Sequence, residues 1–128
     1  METLEPWYVT GLLEAAGTFT FARSHRQIVV LFAISLPAEA RPLAESLRSF
    51  LGGAGRIFEP ESRCYYRINR ATELLRMVEH LDRHPLRGPK RRVYAVWREM
   101  AVLRAAHHGS APPKELVRLV DRLKRRRA

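Results

Sequence analysis

Residues Trp7 to Phe19 read W-Y-V-T-G-L-L-E-A-A-G-T-F, and the fold turns on this stretch. Trp7, Tyr8, Leu12 and Ala15 recur near helical spacing, and Pro6 suits the first turn of a helix. We read a helix over 6–15, with Thr3 or Glu5 near its cap and Gly17 ending it. Gly11 and Ala15 form a small-x-x-x-small pair on one face. Such pairs let another backbone approach closely, a device best documented in membrane helices but geometric in origin. This helix is too short to cross a bilayer, so the expected close partner is another protein helix. Behind it, Thr18–Ser24 alternates: Phe19 and Phe21 point to a core, while Thr18, Thr20, Ala22 and Ser24 share the opposite face.

The run V-T-G-L-L-E-A-A-G resembles the signature of the LAGLIDADG homing endonuclease family, in the compact form with one motif per chain. Gly11, Leu12, Leu13, Glu14 and Gly17 match in order, and Thr18-Phe19 continue the pattern. One position departs. Ala16 stands where active members carry the second acidic residue, which binds the catalytic metal.

The rest of the chain extends the pattern. A second strand, Gln27–Leu36, sends Ile28, Val30, Phe32 and Ile34 to the core and Gln27, Val29, Leu31 and Ala33 to the other face. Residues 38–51 read as a helix, with Pro42 marking where its regular part begins. Gly52-Gly53-Ala54-Gly55 breaks the chain, and strands follow at Arg56–Glu59 and Arg63–Asn69. Cys64, Tyr66 and Ile68 take one face of the latter, and Arg63, Tyr65, Arg67 and Asn69 the other. A third helix spans Thr72–His84 with Thr72 as candidate cap, then a basic loop, His84 to Arg92, leads to a helix over about 90–107. A last amphipathic helix, Lys114–Arg126, ends in Lys124-Arg125-Arg126-Arg127.

The predicted order α-β-β-α-β-β-α-α-α is that of the LAGLIDADG core, an α+β fold. C-Y-Y-R-I-N-R-A-T-E-L-L and H-P-L-R-G-P-K-R-R-V-Y are similar to the family's fourth strand, third helix and basic loop. The resemblance thus implies an αββαββα core with a four-stranded antiparallel saddle, over a domain at 1–108. Residues 109–128 are expected to add a basic amphipathic helix packed on or extending that domain.

Composition points the same way. Among 128 residues the formal net charge is +10, carried by 20 Arg and only 3 Lys. Arginine forms bidentate contacts to phosphate and to guanine edges, so the excess favours a nucleic-acid partner over a neutral metabolite. The single cysteine, Cys64, excludes an intrachain disulfide and any cysteine-based metal site, and reads as a small buried hydrophobe. Met1–Pro6 is acidic and lacks an apolar run, and no stretch reaches membrane-spanning length. The expectation is a cytoplasmic protein at the nucleoid, with no membrane partner.

The resemblance also implies roles for residues. A homodimer is expected through Trp7, Tyr8, Gly11, Leu12, Glu14 and Ala15, with Gly11 and Ala15 at the helix crossing; the alternative is that Gly11 packs on the chain's own sheet. Hard divalent cations need charged oxygen ligands, and Ala16 offers none. Glu14 lies roughly 200° away around the helix and should not substitute. The expected function is therefore double-stranded DNA binding without nuclease activity, as a regulator or nucleoid-associated protein, with no cofactor. The alternatives are an active endonuclease, which would call for magnesium, and a protein-interaction module that kept the fold. The DNA-binding surface is expected to gather Thr18, Thr20, Ser24, Gln27, Arg56, Tyr65, Arg67 and Asn69 from the sheet, Arg23, His25, Arg26 and Arg63 near hairpin ends, and Arg87, Lys90, Arg91 and Arg92 from the basic loop. Lys90 is also the candidate for the basic residue that assists catalysis in active relatives. His107-His108 is read as a helix end, since adjacent histidines cannot chelate from one helix face.

Overall fold

The computed structural model describes residues 3–24, 27–107 and 114–127, with Ser24 described by its backbone only. The first helix, α1 (Pro6–Ala16), starts where Glu5 accepts the backbone N–H groups of Trp7 and Tyr8 at 3.1 and 3.0 Å. Glu5, not Thr3, is thus the cap that satisfies these otherwise orphaned donors. Gly17 leads straight into β1 (Gly17–Ser24). A Cβ at Gly17 would lie 2.8 Å from the Leu13 carbonyl oxygen and 3.0 Å from the Phe32 ring, so only glycine lets the strand leave the helix this closely.

The second strand, β2 (Gln27–Pro37), runs back along β1 with Phe19 opposite Phe32 and Thr20 opposite Leu31. A 3-10 turn over Ala38–Ala40 absorbs the start of the predicted second helix, and α2 (Arg41–Phe50) begins with Pro42 in its first turn. Proline is tolerated there because that N–H has no intrahelical acceptor. The short edge strand β3 (Arg56–Phe58) pairs with β4 (Arg63–Ile68), completing an antiparallel sheet of order β1-β2-β4-β3.

Three helices follow: α3 (Ala71–Arg83), α4 (Lys90–Ala106) and α5 (Lys114–Arg127). One local expectation fails here: Thr72 sits inside α3, whose N-cap is Arg70 without a capping side chain. Lys90, Arg91 and Arg92, which close the basic loop and open the expected helix, form the first turn of α4, because Gly88-Pro89 already starts the hydrogen-bonded turn. His25, Arg26 and His108 lie outside the described residues.

One face of the sheet is sealed by the helices. Phe32, Ile34, Cys64, Tyr66 and Ile68 are fully buried together with Leu13 of α1, Leu47 of α2, Leu74 and Met77 of α3 and Met100 of α4. Burial of this kind stabilises by roughly 25 cal/mol per Å² of apolar surface. Trp97 of α4 packs edge-on against Phe19, and its indole N–H donates to both carbonyls of the Thr20–Leu31 cross-strand pair, at 3.2 and 2.9 Å. The α5 stripe Leu116, Leu119, Val120 and Leu123 joins the same core, while Asp82 of α3 and Arg98 of α4 form a two-pronged ion pair at 2.8 and 2.7 Å. No helix among the described residues is long and apolar enough to cross a membrane.

Candidate nucleic-acid interface

The strand registers set out the open face of the sheet in rows. Thr18, Ala33, Arg67 and Arg56 lie side by side across β1, β2, β4 and β3, and Ser35, Tyr65 and Phe58 form the next row. Arg56 and Arg67 are direct cross-strand neighbours and both exposed, and neither has an ion-pair partner among the described residues. Directly opposed like charges destabilise a strand pair unless something anionic lies between them. Arg67 also lies over the Phe58 ring, 5.5 Å from its centroid. Arg63 donates through Nε and a terminal nitrogen to Ser35 Oγ, at 3.1 and 2.9 Å.

The polar positions nearer the β1 edge are already engaged. Arg127 of α5 donates to Thr20 Oγ1 at 2.7 Å and covers the Phe21 ring, and Arg104 of α4 donates to Gln27 Oε1 at 2.7 Å. Leu31, expected on the open face, is only 8% exposed. The apolar stripe expected along β2 is therefore reduced to the half-buried Val29 and Ala33. Asn69 is exposed just past β4, and Thr18 is exposed beside Ala33. Arg23 has the parity of Phe19 and Phe21, so it belongs to the helix side of the hairpin end and not to the rows above. Arg127, Arg104, Phe58 and Ser35 escaped the sequence reading. Phe58 and Ser35 have alternation as a signal; the reach of Arg127 and Arg104 depends on helix packing, which has none.

The end of α1 forms a second cluster. Glu14 Oε1 accepts the backbone N–H of Gly88 at 2.7 Å and of Arg87 at 3.1 Å. A Cβ at Gly88 would sit 2.9 Å from the carboxylate, so any side chain there would push the flexible Glu14 group aside. Lys90 reaches the Leu13 carbonyl at 3.3 Å, where burial lowers its pKa and Glu14 opposes that shift. Lys90 therefore does sit at the α1 C-terminus, where the helix dipole favours a cation. Arg91 and Arg92, in the same first turn of α4, stand exposed. Ala16 brings a methyl group where a divalent cation would need an oxygen, and Oε1 of Glu14 is already held by two N–H groups. Two acids elsewhere in the fold are already paired, Asp82 with Arg98 and Glu59 with Arg41.

The outer side of α1 is open. Trp7 and Tyr8 are 43% and 52% exposed, Ala15 is exposed, and Leu12 and Glu14 are half-buried. Among the described residues nothing lies within 4 Å of a Cβ built on Gly11, so Gly11 does not pack on its own sheet. Arg87 covers the Trp7 ring at 4.8 Å, which places it on this face and away from the sheet. A groove of about 440 Å³ runs between α1 and residues Pro85 and Arg87. Behind it, Thr10 Oγ1 donates to the His84 carbonyl at 2.7 Å. The hydroxyl has one proton, so the 3.0 Å contact with His80 requires His80 to donate from Nε2. Burial, aided by His84, pushes the His80 pKa down to about 4.

Residues 9–101 match the sequence model of the family described as LAGLIDADG endonuclease. The chain belongs to the LAGLIDADG endonuclease family. Among curated relatives, it is 28% identical over 112 residues to a 50.9 kDa protein in ND4 intron 1 of Podospora anserina, covering 80% of this chain but 25% of that protein. The LAGLIDADG meganuclease I-AabMI, solved bound to uncleaved DNA, superposes with a TM-score of 0.80 at 27% identity, over 94% of this chain and 43% of its own. The homing endonuclease I-TnaI shares the fold at a TM-score of 0.73 and 19% identity, over 95% of this chain and 99% of its own. The chain thus spans about a quarter of the curated relative, under half of I-AabMI and nearly all of I-TnaI. In LAGLIDADG terms, α1 is the motif helix and the open rows belong to the saddle.

Proposed function

We propose that this LAGLIDADG chain binds double-stranded DNA as a homodimer and has lost nuclease activity. The observation that carries the DNA reading is the Arg56–Arg67 pair, two opposed arginines on the saddle face with no carboxylate partner among the described residues. A phosphate backbone supplies the missing charge. The first turn of α4 agrees: Lys90, Arg91 and Arg92 stand at a helix N-terminus with no acidic residue and no capping side chain. That end of a helix favours anions, so three cations there suit a turn that meets phosphate. The partner is also the one with which I-AabMI was solved.

The homodimer reading rests on the open side of α1, where Gly11 and Ala15 leave room for a second backbone and Trp7 and Tyr8 remain exposed. The loss of cleavage rests on Ala16 and on the commitment of Glu14 to the turn before α4. Such a protein acts by occupying DNA, as a cytoplasmic regulator or nucleoid component. Affinity for a duplex should fall steeply as salt rises, and replacing Arg56 and Arg67 together with alanine should weaken binding and flatten that slope. Gel shifts across a salt series test this; unchanged affinity in the double variant would remove the saddle from the interface.

A second reading, an active metal-dependent endonuclease, is favoured by Lys90, which keeps a cation at the end of the motif helix. Nicking of plasmid and genomic fragments with magnesium or manganese separates the two.

A further inference from the structure

The corner of the sheet farthest from β1 carries a feature that phosphate contact to a duplex does not explain. Phe58 stands directly opposite Tyr65, and their rings stack with centroids 5.6 Å apart and planes inclined by 15°. The pair lies on the open face, since Ile57 and Tyr66 between them turn to the core. Phe58 keeps 40% of its surface exposed on an edge strand of only three residues, and Tyr65 is half-buried. The guanidinium of Arg67 hangs over Phe58, and Arg56 is the next residue on that face of β3.

Aromatic rings are poor readers of a closed duplex, because apart from the thymine methyl the groove edges present donors and acceptors that a phenyl ring cannot meet. Their flat faces match bases that have left the stack, the contact by which open antiparallel sheets hold single strands. Arginine beside such rings both sandwiches the base and meets the flanking phosphate. The like-charged Arg56–Arg67 pair makes the site electropositive at the place where a strand would pass.

We infer that the β3–β4 corner is a stacking platform for unpaired bases of a single-stranded nucleic acid, with Phe58 and Tyr65 supplying the ring faces and Arg56 and Arg67 meeting the phosphates. This goes beyond duplex binding, because the rings engage only bases that are out of the helix. The chemistry is common to single-stranded DNA and RNA, which differ here by the 2′-hydroxyl.

Fluorescence anisotropy of the full chain with labelled twelve-residue oligo-dT, oligo-rU and a random duplex tests the platform. Phe58→Ala and Tyr65→Ala should each weaken single-strand binding by about five- to a hundredfold and weaken duplex binding clearly less. Phe58→Leu, which keeps an apolar side chain without a π-face, should lose as much as Phe58→Ala, and thermal melts check that each variant folds. Tighter binding of rU assigns the site to RNA, tighter binding of dT to single-stranded DNA, and equal binding to the shared base-and-phosphate chemistry. Single-strand affinity that survives Phe58→Leu and Tyr65→Ala overturns the inference, as does equal weakening of duplex and single strand. A wild-type chain that binds duplex but no single strand overturns this inference alone, whereas one that binds neither overturns the duplex reading as well.

Discussion

Glu14 Oε1 accepts the backbone N–H of Gly88 at 2.7 Å, joining the motif helix to the turn before α4 across 74 positions of sequence. The same oxygen takes the Arg87 N–H, so one carboxylate sets where Lys90, Arg91 and Arg92 stand. Removing it with Glu14→Ala strands two donors, and we expect a loss of about 1–3 kcal/mol, read by chemical denaturation. Glu14→Gln retains an acceptor oxygen and should cost clearly less. A Gln variant as unstable as the Ala variant would show that charge, not acceptance, holds the turn.

Ala16→Asp returns a carboxylate to the end of α1, next to Lys90. The wild type should leave supercoiled plasmid intact in magnesium, and the variant should nick it. Nicking by the wild type that disappears in Glu14→Gln would make the chain an enzyme and Glu14 its ligand.

Substitutions at Gly11 should separate assembly from folding. The space beside Gly11 is open within one chain, so Gly11→Ala should stabilise an isolated helix position by up to about 1 kcal/mol. Gly11→Leu with Ala15→Leu should fold and yet sediment as a monomer where the wild type is a dimer. A double variant that stays dimeric would move the contact off α1.

Acid should weaken the fold through His80. Its pKa lies at about 4 in the folded chain against an ordinary 6.5, so the unfolded state binds the proton more readily. Stability is therefore complete above about pH 6.5 and is lost progressively as pH falls toward 4, by on the order of 3 kcal/mol. His80→Gln, which keeps a donor but does not titrate, should flatten a denaturation-midpoint profile between pH 4 and 7.

Much of the fold was legible because its signals are local. Alternation in 18–24 and 27–36 named the buried Phe19, Ile28, Val30, Phe32 and Ile34, and Pro6 and Gly17 bounded α1 to within a residue. The failures arise where a residue's surroundings come from distant sequence. Leu31 has the parity of an open-face residue yet is buried, and its carbonyl meets the indole of Trp97, 66 positions away. Arg127 on Thr20 and Arg104 on Gln27 depend on how α4 and α5 lie against β1, which no periodicity encodes. At the motif, the loss of the second acid was plain in the letter Ala16. The task of the first acid became visible only once Gly88 stood beside it.

Cys64 offers a different kind of use. Its side chain is fully buried on β4, opposite Leu36 of β2, and burial raises the thiol's pKa. With no other cysteine in the chain, a thiol reagent in solution finds nothing to attack until the sheet parts from the helices beneath it. The labelling rate is therefore a clock for that opening, and slower labelling when nucleic acid is added would report how much a ligand on the outer face tightens the protein's inside.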